Sequence, residues 1–166
     1  MRFTDEKGTS KKNRVHFLDL GWSAVGASVA IALALWFVGR HEGPFLLASL
    51  GGSTVFLFAL RDTEAAQPRA LFGGHFGGAL IGIFCFQILG DALWVSAAAV
   101  ALTMGFMVAT RTIHPPAGAN PLLMVHNQAG FYAVWNPVGI GVLTLFIVAV
   151  LWSRLDHGKA YPIKWR

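Results

Sequence analysis

Charge is the scarcest ingredient of this sequence. Only 13% of its 166 residues are charged, and Asp and Glu together number 8; an ordinary soluble domain carries about 25% charged residues. The cations are also unevenly placed. Five of the 13 Lys and Arg lie in residues 1–14 and four in residues 154–166, which leaves Arg40, Arg61, Arg69 and Arg111 for everything between. A soluble core of that length cannot keep its surface hydrated on four cations. There is one cysteine, Cys85, so an intrachain disulfide scaffold is excluded, and within its apolar run the thiol reads as a small packing group. No Walker loop, dinucleotide fingerprint or nucleophile–base set occurs, so no enzyme is expected and no cofactor is called for. The net charge of +5 does not point to nucleic acid, because the basic residues flank hydrophobic segments, where membrane proteins keep their cytoplasmic Lys and Arg.

Apolar residues fill the space that charge leaves. The chain is 55% hydrophobic with 19 Gly, and its mean hydropathy is +0.56. These values point to an integral membrane protein whose partner is the lipid bilayer. Six apolar stretches follow a basic tail at residues 1–19. Four are long: 20–38, 71–89, 92–110 and 136–153. Each can span a hydrocarbon core of about 30 Å as a helix. The first is longer than the apolar core of a cleavable signal and runs into Gly39-Arg40-His41-Glu42, so it reads as a retained helix. Two stretches are short and broken, residues 44–60 and 114–125. Trp22, Trp36, Trp94, Trp135 and Trp152 mark segment ends, as expected at a membrane–water interface. The expected fold is all-α and polytopic: four long transmembrane helices plus two short broken segments within residues 20–153. Basic cytoplasmic tails at 1–19 and 154–166 flank this domain.

Charge bias chooses between two topologies. If only the long helices cross, nine basic residues lie inside and four outside; if all six segments cross, only Arg40 lies outside. The positive-inside rule favours six crossings with both termini cytoplasmic, in a bacterial inner membrane. Four crossings with two re-entrant loops is the alternative. A shift of 66 residues lays each long–short–long half on the other and pairs Gly39 with Gly105, Gly52 with Gly118, Gly73 with Gly139 and Thr54 with Asn120. With three crossings per half, the halves would be inverted repeats.

The stretch His114-Pro115-Pro116-Ala117-Gly118-Ala119-Asn120-Pro121 is the most unusual. Two prolines remove two amide donors and disfavour helix before them, while Asn120-Pro121 reads as an N-cap and first helical position. Residues 51–54, with Gly52, Ser53 and Thr54, are expected to begin a second half-helix in the same way. Two helix N-termini meeting near the midplane would form a small-anion site. His75 and His114 are intramembrane ionisable residues and hence candidates for a proton relay or an anion contact. No Cys or carboxylate cluster accompanies them, so no metal site is expected. Arg69 and Arg111 would raise anion concentration at the inner mouth. Gly74, Gly78 and Gly82 recur every four residues, a bare face for close packing within a subunit or in a homo-oligomer.

The segment Thr110-Arg111-Thr112-Ile113-His114-Pro115-Pro116-Ala117-Gly118-Ala119 resembles the signature of the HPP family of integral membrane proteins, named for His-Pro-Pro. Pro44-Phe45 through Gly51 and Ser53, then Ala66-Gln67-Pro68-Arg69 and Gly73-Gly74-His75, are similar to other recurrent stretches of that family, in the same order. Asn120-Pro121 departs from it, where Thr and a small residue would be expected. The resemblance implies four transmembrane helices. Because some plant-plastid and cyanobacterial members are associated with nitrite transport, it also implies a transporter or channel for a small anion, with nitrite first. A non-transporting membrane module, such as a sensor or assembly partner, is the competing expectation.

Overall fold

The computed structural model describes residues 17–39, 48–155 and 160–165. The tail at 1–16, Arg40, Pro44, Phe45, Lys159 and Arg166 lie outside the described residues. Helices make up the architecture. Helix α1 is Phe17–Val38, so it starts inside the stretch expected as tail. Helix α2 is Ala48–Thr54 and runs on through a wider π-type turn, Val55–Ala59. Helices α3, Pro68–Leu89, and α4, Leu93–Thr110, form an antiparallel pair. A 3-10 turn, Pro115–Gly118, leads into α5, Ala119–His126. A wide turn at Val134–Gly139 precedes α6, Ile140–Leu155. The break in that turn falls at Asn136, whose backbone is extended (φ −129°, ψ 118°), as expected for the residue before a proline. Four helices are long and apolar enough to cross a membrane: Asp19–Val38, Pro68–Leu89, Leu93–Thr110 and Val134–Leu155.

Contacts between distant residues fix which helix ends share a face. At one end, here the basal end, Trp22 at the start of α1 lies 4.5 Å from Trp152 near the end of α6. There too Arg69 at the start of α3 donates from Nη2 to the carbonyl of Thr110 at the end of α4 (2.7 Å). Tyr161 donates to the Ala66 carbonyl (2.6 Å), and the Lys164 ammonium sits 3.9 Å from Glu64. At the opposite, distal end, Gln128 donates to Asp91 in the α3–α4 turn (3.3 Å). With four crossings, Glu64 and Lys164 would face opposite sides of the membrane, and so would Asp91 and Gln128. The contacts therefore favour six crossings over the re-entrant alternative. The described parts of both short segments lie between helix ends at opposite ends of the bundle, and the two halves of the chain run in opposite directions. The packing follows the same symmetry, with α1 on α6 and α4 on α3.

Helix α3 is the centre of the bundle, packed against α4, α5 and α6. Half of its apolar window is buried, against 22% for α1. The outward faces of α1, α4 and α6 carry exposed Val29, Leu33, Leu102, Met104, Leu143 and Ile147, a surface suited to lipid. The expected tail at 154–166 is partly structured. Arg154 and Leu155 belong to α6, and residues 160–165 fold back under the bundle. Tyr161 is 1% exposed, and the amides of Ile163 and Lys164 both donate to Gln67 Oε1 (3.0 and 3.1 Å).

The glycine face of α3 is consumed inside the chain. A Cβ at Gly74 would lie 3.1 Å from His114 Cβ, at Gly78 3.0 Å from the Ala117 carbonyl oxygen, and at Gly82 2.6 Å from Pro121 Cα. The stripe thus seats the His-Pro-Pro segment and α5, and it leaves no bare face for a second subunit. That removes the argument for a homo-oligomer drawn from it.

Candidate functional site

The site begins where α4 ends. Arg111 takes the left-handed conformation (φ 55°, ψ 43°). Its N–H bonds the Val108 carbonyl while that of Thr112 bonds Met107 (3.2 and 2.9 Å). This is a Schellman closure, usually made by glycine; a side chain there costs about 1–2 kcal/mol. The reversal sends residues 112–114 back into the bundle, where Thr112 and His114 are buried. Ala117 N–H bonds the His114 carbonyl (3.0 Å), and the 3-10 turn leads into α5.

Four sequence candidates converge there. Ser53 Oγ lies 2.9 Å from His75 Nε2 and 2.8 Å from His114 Nε2, and also 2.9 Å from the Ser49 carbonyl. His114 Nδ1 lies 2.6 Å from the Ala65 carbonyl. Asn120 Nδ2 lies 3.0 Å from both His75 Nδ1 and the His75 carbonyl. The imidazole centroids are 5.1 Å apart, and Phe56 meets His114 edge-on at 5.4 Å. His75, His114 and Ser53 are fully buried and Asn120 is 1% exposed. Buried polar groups of this kind stand only when hydrogen-bonded. The partners here come from α2, α3, α5 and the loop before α3, so the two broken segments meet on His75.

Other candidates sit differently. Gly52 packs on Pro116, whose Cβ would be 3.1 Å from a Cβ at Gly52. Pro116 and Gly118 are half-buried, and Pro115 is exposed. Asn120 does not cap α5; that helix begins a residue earlier, and the amide reaches across to α3. Gly52, Ser53 and Thr54 lie inside α2, so their amides are engaged in its ladder. Thr54 Oγ1 bonds the Gly51 carbonyl (2.7 Å). The expected pair of converging half-helix N-termini is therefore replaced by a side-chain network.

Arg69 and Arg111 stand at the basal end. With Glu64, Gln67, Ala70 and Lys164 they line a cleft of about 220 Å³. A neighbouring cleft of about 370 Å³ is lined by Glu64, Ala65, Ala70, Val108, Arg111 and Ile113. It reaches the residue whose carbonyl holds His114. The two clefts share Glu64, Ala70 and Arg111 and make a basic vestibule at the basal end, which meets the polar centre only through Ala65. Sequence reasoning missed three parts of this region. Gln67 ties the vestibule floor to residues 163 and 164 through bonds spanning 96 and 97 positions. Tyr161 closes the floor from the C-terminal side, and burial pushes its phenol up from its ordinary pKa, so it stays a neutral donor. Thr103, fully buried in α4 beside Gly78, is the third. Its Oγ1 and Asn120 Oδ1 have no hydrogen-bond partner among the described residues. A hydroxyl in the middle of an apolar run was the signal available for it. Among the described residues no group of three His, Cys, Asp or Glu gathers at one point.

The model of the family described as "HPP, transmembrane region" matches residues 12–162. Two transmembrane proteins of Dictyostelium discoideum are similar. One is 31% identical over 98% of this chain and 57% of its own length; the other is 29% identical over 95% and 61%. The chain thus spans about three-fifths of the length of these relatives. No solved structure matches it. With that match over most of its length and a His-Pro-Pro segment seated on the glycine face of α3, the chain belongs to the HPP family of transmembrane proteins.

Proposed function

We propose that the chain transports a small monovalent anion across the membrane, nitrite first among candidates, and carries out no catalytic step. The observation that carries this reading is the buried Asn120–His75–Ser53–His114 network, where both broken segments meet and which Ala65 joins to a basic vestibule. Intramembrane ionisable groups are costly and mark pathways by default. Arg69, Arg111 and Lys164 would concentrate anions at the vestibule, and Glu64 moderates that field. Nitrite comes from the family resemblance, while the geometry supports only a small anion.

All five described Lys and Arg, namely Arg61, Arg69, Arg111, Arg154 and Lys164, lie at the basal end. We place that end in the cytoplasm on the positive-inside rule, with a bacterial plasma membrane as host. The test is flux into proteoliposomes of nitrite, nitrate, formate and chloride. Protein-free vesicles correct for leak of the neutral acids. Protein-dependent nitrite flux is expected, and His114→Ala should lower it at least about tenfold in folded, inserted protein. Absence of flux for all four anions would select a sensor or assembly module instead.

A further inference from the structure

Arg111 occupies a position that folding alone would give to glycine. It closes α4 in the left-handed conformation (φ 55°, ψ 43°), where a side chain is strained and glycine is not. Strained residues of this kind cluster at ligand-binding sites. The Arg111 side chain is exposed and lines both basal clefts. Its guanidinium has no hydrogen-bond or ion-pair partner among the described residues.

Two more cations are held at the same space. Arg69 spends one N–H on the Thr110 carbonyl (2.7 Å), and a guanidinium carries five. Lys164 is brought in from the C-terminal segment by Gln67. The Gln67 Oε1 accepts from the amides of Ile163 and Lys164, while its Nε2 donates to the carbonyls of Arg61 and Thr63 (2.8 and 3.0 Å). The Lys164 ammonium lies 3.9 Å from Glu64, and both side chains are largely exposed. Such a pair is weak and yields to a better-matched anion. The cleft of about 220 Å³ therefore gathers three cations against one carboxylate, with two positive charges unmatched.

The adjoining cleft of about 370 Å³ has a different wall. Beside Glu64 and Arg111 it is lined by Ala65, Ala70, Val108 and Ile113. Val108 and Ile113 are exposed, and so are Met104 and Val100 on α4. Val100, Met104 and Val108 are four residues apart on one helix, hence on one face. The basic space thus opens onto an apolar track that runs from the basal end along α4. A small inorganic anion would use the charges and leave the track idle. A ligand with one anionic group and a long apolar tail would use both.

We infer that the basal clefts bind an anionic phospholipid. Its phosphodiester lies among Arg69, Arg111 and Lys164, and one acyl chain follows Ile113, Val108 and Met104. Guanidinium groups match phosphate oxygens through paired N–H donors, and basic pockets between membrane helices suit lipid headgroups. The lipid would join three parts of the chain, since its cationic contacts come from α3, the end of α4 and the C-terminal segment. One phosphodiester charge leaves one positive charge unmatched, so the vestibule still attracts small anions. The site does not rest on the transporter reading.

Native mass spectrometry of the full chain, released from a nonionic detergent, tests this. The protein is titrated with phosphatidylglycerol, with phosphatidylcholine of the same acyl chains, and with glycerol phosphate. Wild type should hold one phosphatidylglycerol at least about tenfold more tightly than either of the others. Arg111→Gly removes the strained side chain, so its thermal midpoint should be unchanged or higher while phosphatidylglycerol affinity falls by about fivefold or more. Lys164→Gln, on an exposed side chain, should lose about as much, and it decides the matter if Arg111→Gly does not fold. Arg154→Gln alters a basal cation outside both clefts and should bind as wild type does. Equal retention of phosphatidylcholine would mean ordinary boundary lipid and overturn the site. Glycerol phosphate bound as tightly as phosphatidylglycerol would overturn the lipid and leave a soluble phosphate ester as the ligand. Undiminished binding by Arg111→Gly and Lys164→Gln would place the lipid elsewhere on the bundle.

Discussion

Ser53 carries one proton and two lone pairs, and three buried acceptors or donors compete for them. The sequence marked Ser53, His75, His114 and Asn120 individually because polar groups in apolar runs are conspicuous. It did not reveal how they connect, since the bonds join residues 22 to 61 positions apart. Asn120 illustrates the difference. Locally, Asn before Pro is a capping signal, yet the amide finds two acceptors on His75 that no local rule anticipates. Thr103 is the opposite case, a buried hydroxyl whose oxygen lacks a partner among the described residues. An unpaired buried hydroxyl costs about 1–3 kcal/mol, and a methyl of the same shape does not. Thr103→Val is therefore expected to raise the thermal unfolding midpoint in detergent. A lower midpoint would mean that the hydroxyl is paired in the working protein.

Elements were legible wherever apolar length alone decides. The long spans appear within three residues of their expected starts and two of their expected ends. The short segments were harder. The start of α2 was expected at its glycine pair, but the helix already runs from Ala48; glycine weakens a helix without having to end it. Glycines on α3 matter by what they touch. At Gly82 a Cβ would meet Pro121 Cα at 2.6 Å and its carbonyl oxygen at 2.8 Å, backbone that cannot move without shifting α5. Gly82→Ala should destabilise by about 1–3 kcal/mol through overpacking. Gly105, exposed on α4 with nothing within 4 Å of a Cβ, is the control. Gly105→Ala should be neutral or stabilise by up to about 1 kcal/mol. Thermal or denaturant unfolding of the two variants compares them directly. Equal stability would mean that the glycine face is not what holds the His-Pro-Pro segment.

Across the whole molecule, the number of crossings decides where every loop lies. Charge counting favoured six, although two passes are too short to span as unbroken helices, and the structure explains how they manage. One enters as an extended stretch and a 3-10 turn before α5 and is seated on α3, while α2 and its π-type turn pack on α1, α6 and that 3-10 turn; irregular backbone keeps its partners when it is buried in protein. Tryptophan agrees: Trp36, Trp94 and Trp135 are exposed at distal helix ends, while Trp22 and Trp165 are exposed at the basal end. Single cysteines at Asp62, Asp91, Gln128 and Lys164, in a Cys85→Ser background, turn this into a prediction. With six crossings, Asp62→Cys and Lys164→Cys share the basal side, and Asp91→Cys and Gln128→Cys share the other. An impermeant thiol reagent added to intact cells should label the second pair, and should label the first only after permeabilisation. Re-entrant loops would split both pairs, with Asp62→Cys and Gln128→Cys labelled outside and Asp91→Cys and Lys164→Cys protected. Labelling of the basal pair alone would keep the six crossings and reverse the orientation, putting the vestibule of Arg69 and Arg111 outside the cell.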